Sequence, residues 1–222
     1  MTKEELLTKA HYIQYPLNGE FYLDYSDEGL DSHVDRLPIT DMTYKGWAMN
    51  ENHFTTEYHR KYALPLLDKV LNFGYNPRHF RIRRKVIDGF DVSMPVPRKS
   101  HRFEVYGYTR DEYAMNMSYD DLLTNNIRRF DMTDYHRLYR YAHECSRIIN
   151  HGRNNGRLLF ISGDSQMIPD VPVLACYYKE VWYFDNRFDR KLHDEWKDVD
   201  FDDVIIELNG NYLWFYTDVN LR

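Results

Sequence analysis

The chemistry legible in this sequence centres on one hydroxyl. Ser165 closes the tripeptide Gly163-Asp164-Ser165, directly after an apolar run at 158–161. A serine hydroxyl attacks an acyl carbon when a base takes its proton and a third group orients that base. Asp134 and His136, two positions apart, are of the types that fill those two roles. Backbone N–H groups in a strand-to-helix turn can hold the oxyanion that the attack creates. The reaction open to this set is acyl transfer. Each residue also has a purely structural use. Asp and Ser favour helix caps and turns, Asp134 can be an N-cap, and His136 can be a polar first-turn residue. His136 and His143 lie seven apart, on one helical face, so a metal site with Asp134 is conceivable. No further ligand at suitable spacing accompanies them, and no metal is expected.

The elements around these residues must bring them to one place. Residues 158–161 and 181–184 are short apolar runs of the kind a buried parallel strand needs. Between them, after Pro169, a helix is expected over about 171–179, with Pro172 tolerated in its first turn. Strand, turn, helix and strand make a βαβ unit with a right-handed crossover. Open α/β sheets bind ligands outside the carboxyl ends of their strands, where Ser165 would stand. Asp164, Gln166, Asn186 and Arg187 fall beside the ends of these two strands and are candidates for substrate contact, and Asn186 and Arg187 could equally cap a turn. Upstream, Leu138, Tyr141, Ala142, Cys145, Ile148 and Ile149 form one face of a helix expected over 133–150. Such a helix would run antiparallel to the next strand and present Asp134 and His136 at the Ser165 end. Residues 204–208 read as a third buried strand.

Thr2 and Glu5 make a capping box for a helix over 3–12. Residues 13–50 read as loops and short strands. Residues 55–73 carry apolar side chains near helical spacing, with Pro65 kinking or restarting the helix and Gly74 as its C-terminal cap. Residues 78–109 read as β-rich, with Pro95 and Pro97 separating two strands. They are also basic: Arg78, Arg81, Arg83, Arg84, Lys85, Arg98, Lys99 and Arg102 could hold an anionic ligand or form a solvated strand face.

The 222 residues suit a single domain, with a core at about 130–222 and an N-terminal elaboration at about 1–129. A hydrophobic share of 43% with 29% charged residues is that of a soluble globular chain. The net charge of -6 argues against whole-surface binding to nucleic acid. No run reaches the roughly 20 apolar residues of a membrane helix. The charged start MTKEELLTKA is unlike a signal peptide. A cytoplasmic location is therefore expected. Cys145 and Cys176 lack metal-ligand spacing and read as buried thiols in helices. The 16% aromatic content supplies packing, or faces for sugar rings.

Several segments, in order, resemble the SGNH-hydrolase-like acyltransferases, above all the group that O-acetylates polysaccharides such as alginate. They are Asp134-Tyr135-His136, the strand ending in Gly163-Asp164-Ser165, the run from Val181 to Arg187, and Asp203-Val204-Ile205-Ile206-Glu207. The resemblance spans about 130–210. It implies Ser165 as nucleophile, His136 as general base and Asp134 as its orienting acid, with Asp164 shaping the turn. Arg137 stands where the family usually has Trp, and the interval from His136 to Ser165 is shorter than in the alginate enzymes.

The expected fold is thus α/β, a three-layer parallel sheet (SGNH/flavodoxin-like) with a helical and β-rich N-terminal elaboration. The expected function is a serine esterase or O-acyltransferase acting on a carbohydrate or other small acylated substrate, with no cofactor. The alternative is a non-catalytic module on the same fold that binds a glycan or phosphorylated ligand.

Overall fold

The three apolar runs lie side by side as parallel strands, and the rest of the chain is arranged around them. The computed structural model describes residues 1–16, 22–24, 33–39, 48–50, 53–54, 56–87, 90–107, 113–118, 145–164, 166–185 and 194–208. Its strands in chain order are β1 (Ala10–Gln14), β2 (Val34–Arg36), β3 (Ala48–Asn50), β4 (His53–Phe54), β5 (Phe80–Ile87), β6 (Phe90–Pro97), β7 (Arg102–Gly107), β8 (Tyr113–Ser118), β9 (Cys145–Asn150), β10 (Leu158–Gly163), β11 (Glu180–Asp185) and β12 (Asp203–Glu207). Eight form one sheet in the order β2-β1-β12-β10-β11-β9-β7-β8, while β3–β4 and β5–β6 are separate pairs. Neighbours from β2 to β11 are parallel. Strands β9, β7 and β8 extend that core antiparallel.

Side-chain alternation loads both faces of the sheet. Leu159, Ile161, Val181, Tyr183 and Ile205 enter one core, and Phe160, Trp182, Phe184, Val204 and Ile206 enter the other. Helix α1 (Lys3–Thr8) reaches the second core through Leu6, beside Trp196 and Phe201. The first core is covered by two helices. One, α2, runs through Thr56–Tyr58, His59–Ala63 and Leu64–Leu71, and the other, α3, is Val171–Ala175. The fold is three-layer α/β, as the sequence implied.

Local chemistry explains the helix limits. The Thr2 hydroxyl accepts the Glu5 N–H at 3.1 Å, and the Glu5 carboxylate accepts the Thr2 N–H at 2.7 Å, closing a capping box. The helix stops at Thr8 because Ala10 already belongs to β1, which lies between β2 and β12. In α2, Pro65 cannot donate to the carbonyl four residues back. The five residues His59–Ala63 form a π turn, with the Leu64 N–H reaching the His59 carbonyl, and the helix continues across the proline. Its left-handed cap is Asn72, at φ 50°, rather than Gly74. Asp68 secures the exit by accepting the Gly74 and Tyr75 N–H groups at 2.7 and 2.9 Å.

Three expectations change. Residues 145–150 are strand, not the end of a helix: Ser146, Ile148 and Asn150 are buried while Arg147 and Ile149 are half-buried. That period of two follows from pairing with β11 on one side and β7 on the other. Residues 133–144 lie outside the described residues. Second, residues 1–129 build the sheet instead of decorating it, since β1, β2, β7 and β8 are four of its eight strands. Third, Pro95 and Pro97 lie within β6. Two positions apart, they direct both missing donors to the same edge of a two-stranded ribbon, where no ladder bond is lost.

The strand assignment of 145–150 predicts an asymmetry that a helical face carrying both isoleucines would not show. Ile148→Lys should cost about 4 kcal/mol or more, since it buries an unpaired charge. Ile149→Lys should cost about 1 kcal/mol or less. Urea unfolding of the two variants measures both, and equal losses would contradict the strand.

Candidate active site

The carboxyl end of β10 is built from small and acidic residues. Gly163 pairs with Asp185 at the end of β11. A Cβ on Gly163 would lie 2.8 Å from Met167 Cγ and 2.9 Å from Glu207 Oε2, so only glycine lets the turn fold this tightly over the strand end. Asp164 is buried and uses its backbone and side chain at once. Its N–H donates to Glu207 Oε2 at 2.7 Å, and its Oδ1 accepts the Gln166 N–H at 2.6 Å. Its carbonyl accepts the Tyr183 hydroxyl at 3.0 Å. An Asp side chain that caps the N–H two residues on fixes a turn without help from a helix.

Glu207 is fully buried at the end of β12 beside this turn, a setting that favours its neutral form. Burial raises its pKa well above the usual value, and the nearby Asp164 carboxylate raises it further. A side-chain hydrogen bond to Asp164 and the charge of Asp185 raise it further still. Three acids thus converge at the carboxyl end of the sheet, and their crowding favours the protonated form of Glu207.

A second buried group ties the turn to distant parts of the chain. The Met167 N–H donates to the Asp164 carbonyl at 3.2 Å and the Asp170 N–H to the Met167 carbonyl at 3.0 Å, carrying the backbone toward α3. Asp170 Oδ2 then accepts the Tyr15 hydroxyl at 2.6 Å and pairs with His59 Nδ1 at 2.9 Å. Tyr15 follows β1 and His59 lies in the π turn of α2. All three side chains are buried. Burial, then Asp170, holds the Tyr15 hydroxyl protonated far above its usual range. The Phe54 ring stacks on Tyr58 at 4.3 Å and on Tyr15 at 5.8 Å. Its backbone N–H points at Gln166 Oε1, 3.5 Å away. The β4 segment therefore lies against the residue that follows Ser165.

Of the residues singled out in the sequence, Asp164 and Gln166 stand together at the strand end. Ser165, between them, lies outside the described residues, as do Asp134, His136, Asn186, Arg187 and the conceivable metal ligand His143. The chain coming from His136 enters the sheet at the same edge, because Cys145 opposes Phe184 near the carboxyl end of β11. Cys176 follows α3 and is a buried free thiol whose pKa is pushed up by burial. Sequence reasoning passed over Tyr15, Phe54, His59 and Asp170, and noted Asp185 and Glu207 only as parts of longer runs. Asp185 and Glu207 carried a signal, since each is an acid at the end of an apolar run. His59 and Asp170 carried none, being 111 positions apart.

Solved structures share this architecture. A DHHW family protein from Eubacterium siraeum superposes with a TM-score of 0.68 over 99% of this chain and 86% of its own, at 14% identity. PatB1 from Bacillus cereus gives 0.64 over 92% of this chain and 84% of its own, at 15% identity. PatB1 carrying a sulfonyl adduct gives 0.64 over 92% and 83%, at 13% identity. The fold is SGNH-like. No protein-family model matches the chain, and no curated protein matches it by sequence. No helix among the described residues is long and apolar enough to cross a membrane.

Two variants test the buried groups. Above the ordinary glutamate value of 4.5 the unfolded chain releases the Glu207 proton and the native chain keeps it. The contribution of this group is therefore complete below that pH and declines as pH rises. Glu207→Gln keeps an acceptor for Asp164 and cannot titrate. Its stability relative to wild type should climb from pH 4.5 toward pH 8, by at most about 1.4 kcal/mol per pH unit. Thermal unfolding across that range measures the trend, and a flat difference would refute it. Asp170→Ala strands two buried donors and should cost about 3 kcal/mol or more. Chemical unfolding checks this, and a loss below about 1 kcal/mol would remove Asp170 from its central position.

Proposed function

We propose that this chain is a serine-dependent acyl-ester enzyme, an esterase or O-acyltransferase acting on a carbohydrate, with Ser165 as nucleophile. The observation that supports it best is the turn at the carboxyl end of β10. Its flanking residues Asp164 and Gln166 are locked together, Gly163 has no room for a side chain, and segments from β1 and α2 are anchored onto it through Asp170. Such rigidity is what a nucleophile on a tight strand-to-helix turn requires. Likeness to PatB1, solved once as a sulfonyl adduct, adds weight, because a sulfonyl group is an electrophile that activated nucleophiles attack.

In this reading Ser165 Oγ bonds to the acyl carbon as its proton passes to an imidazole, and the alcohol of the ester leaves with that proton. Water or a sugar hydroxyl then takes the acyl group from the serine. The Gln166 N–H is engaged by Asp164, so oxyanion stabilisation falls to other donors of the turn. Two histidines compete for the base. His136, with Asp134 as its orienting acid, is the one implied by the sequence resemblance. His53 is the second, favoured by the contact between the Phe54 N–H and Gln166. Glu51 precedes it by two positions, the same acid-x-His spacing as Asp134 and His136. His59 is not available for this role, being buried against Asp170.

Ser165→Ala should abolish hydrolysis of a small acetyl ester and labelling by a fluorophosphonate, with its melting temperature unchanged. Whichever of His53→Ala and His136→Ala lowers kcat at least about a hundredfold identifies the base. A wild-type protein that neither hydrolyses such esters nor takes the probe at Ser165 would defeat the enzyme reading.

A further inference from the structure

Arg78, Arg98 and Lys99 of the basic ribbon line a cavity that the proposed chemistry does not use. The cavity measures about 540 Å³. It lies at the amino end of the parallel strands, the edge opposite Gly163. Its walls are the start of β5, the end of β6 with the connection to β7, the loop from β9 to β10, and the turn after α3. Arg78, Arg98, Lys99 and Arg153 line it, and its described lining contains no carboxylate. Four cations on the lining of one cavity stand out in a chain whose net charge is -6.

The site is built rather than incidental. The Arg98 N–H donates to the His79 carbonyl at 2.8 Å and its Nε to the Arg78 carbonyl at 3.1 Å, which clamps the two ends of the hairpin together. The opposite wall is braced by Asn154, whose amide donates to the Asn150 and Gly152 carbonyls and whose Oδ1 accepts the Gly156 N–H. Gly156, at φ 79°, takes a backbone conformation that suits glycine. The Asn155 N–H to the Tyr177 carbonyl, at 2.8 Å, joins that loop to the turn after α3. Tyr177 packs against Phe80, ring centroids 6.1 Å apart, and supplies an aromatic wall. Its hydroxyl meets His79 Nδ1 at 3.2 Å.

We infer that this cavity binds a phosphorylated sugar. Guanidinium groups recognise phosphate oxygens in pairs, and four cations suit a dianionic group better than a single carboxylate. The Phe80 and Tyr177 rings offer the apolar surface on which the C–H faces of a sugar pack. The volume lies in the range of small-molecule sites, and a concave wall selects a compact ligand over an extended polyanion.

Isothermal titration of the full chain with glucose 6-phosphate at low salt tests the assignment. Saturable one-to-one binding is expected, weakening with added salt. Arg98→Gln and Arg153→Gln should each weaken it roughly tenfold or more, and Arg153→Gln, which removes no bond of the hairpin clamp, should leave the melting temperature unchanged. Ser165→Ala should leave the affinity untouched, which separates this site from the proposed catalytic one. Absence of binding at millimolar ligand would overturn the inference, as would indifference to both arginine variants. Equal affinity for inorganic phosphate would overturn the sugar part of it, and equal affinity for glucuronate the phosphate part.

Discussion

A single buried carboxylate holds the carboxyl end of the parallel sheet together. Asp170 receives a hydroxyl from the residue after β1 and pairs with an imidazole from the π turn of α2. It belongs itself to the connection between β10 and α3. Those three parts are far apart in sequence and also meet through apolar packing, which fixes distance but not direction. Hydrogen bonds supply the direction, and burial makes their loss expensive. The π turn is part of the same solution. It lets α2 pass Pro65 without breaking, and so keeps His59 on the face that meets Asp170.

The two ends of the parallel strands are managed differently. At the carboxyl end, Asp164, Asp185 and Glu207 crowd together, and burial with that crowding raises the Glu207 pKa. At the amino end, acids are paired with cations. Asp203 takes the Arg157 guanidinium and the Tyr178 hydroxyl, while Glu180 takes Arg147 and the Trp182 indole N–H. The cations left over line the cavity beside the β5–β6 hairpin. The modest net charge of the chain conceals this polarity between edges, because opposite charges on opposite edges cancel in the sum. A nucleophilic turn at one edge and an anion-binding cavity at the other would leave both ligands free to bind at once.

The sequence by itself determined the elements whose causes are local. The capping box at Thr2, the helix through 56–71, the β5 and β7 strands and the three buried parallel strands were all legible, because each follows from neighbours within a turn or a strand length. Glycine and aspartate at 163–164 announced the tight turn for the same reason. Tertiary structure decided what depends on partners far along the chain. An apolar pattern at 145–150 that fits a helix face became a strand because β11 and β7 offered ladders on both sides. Strands β1 and β2 entered the sheet because β12 offered β1 an edge, and β7 and β8 because β9 did, facts no local pattern contains. His59 and Asp170 became neighbours through folding alone, since hydrogen-bond partners 111 positions apart leave no periodic trace in a sequence.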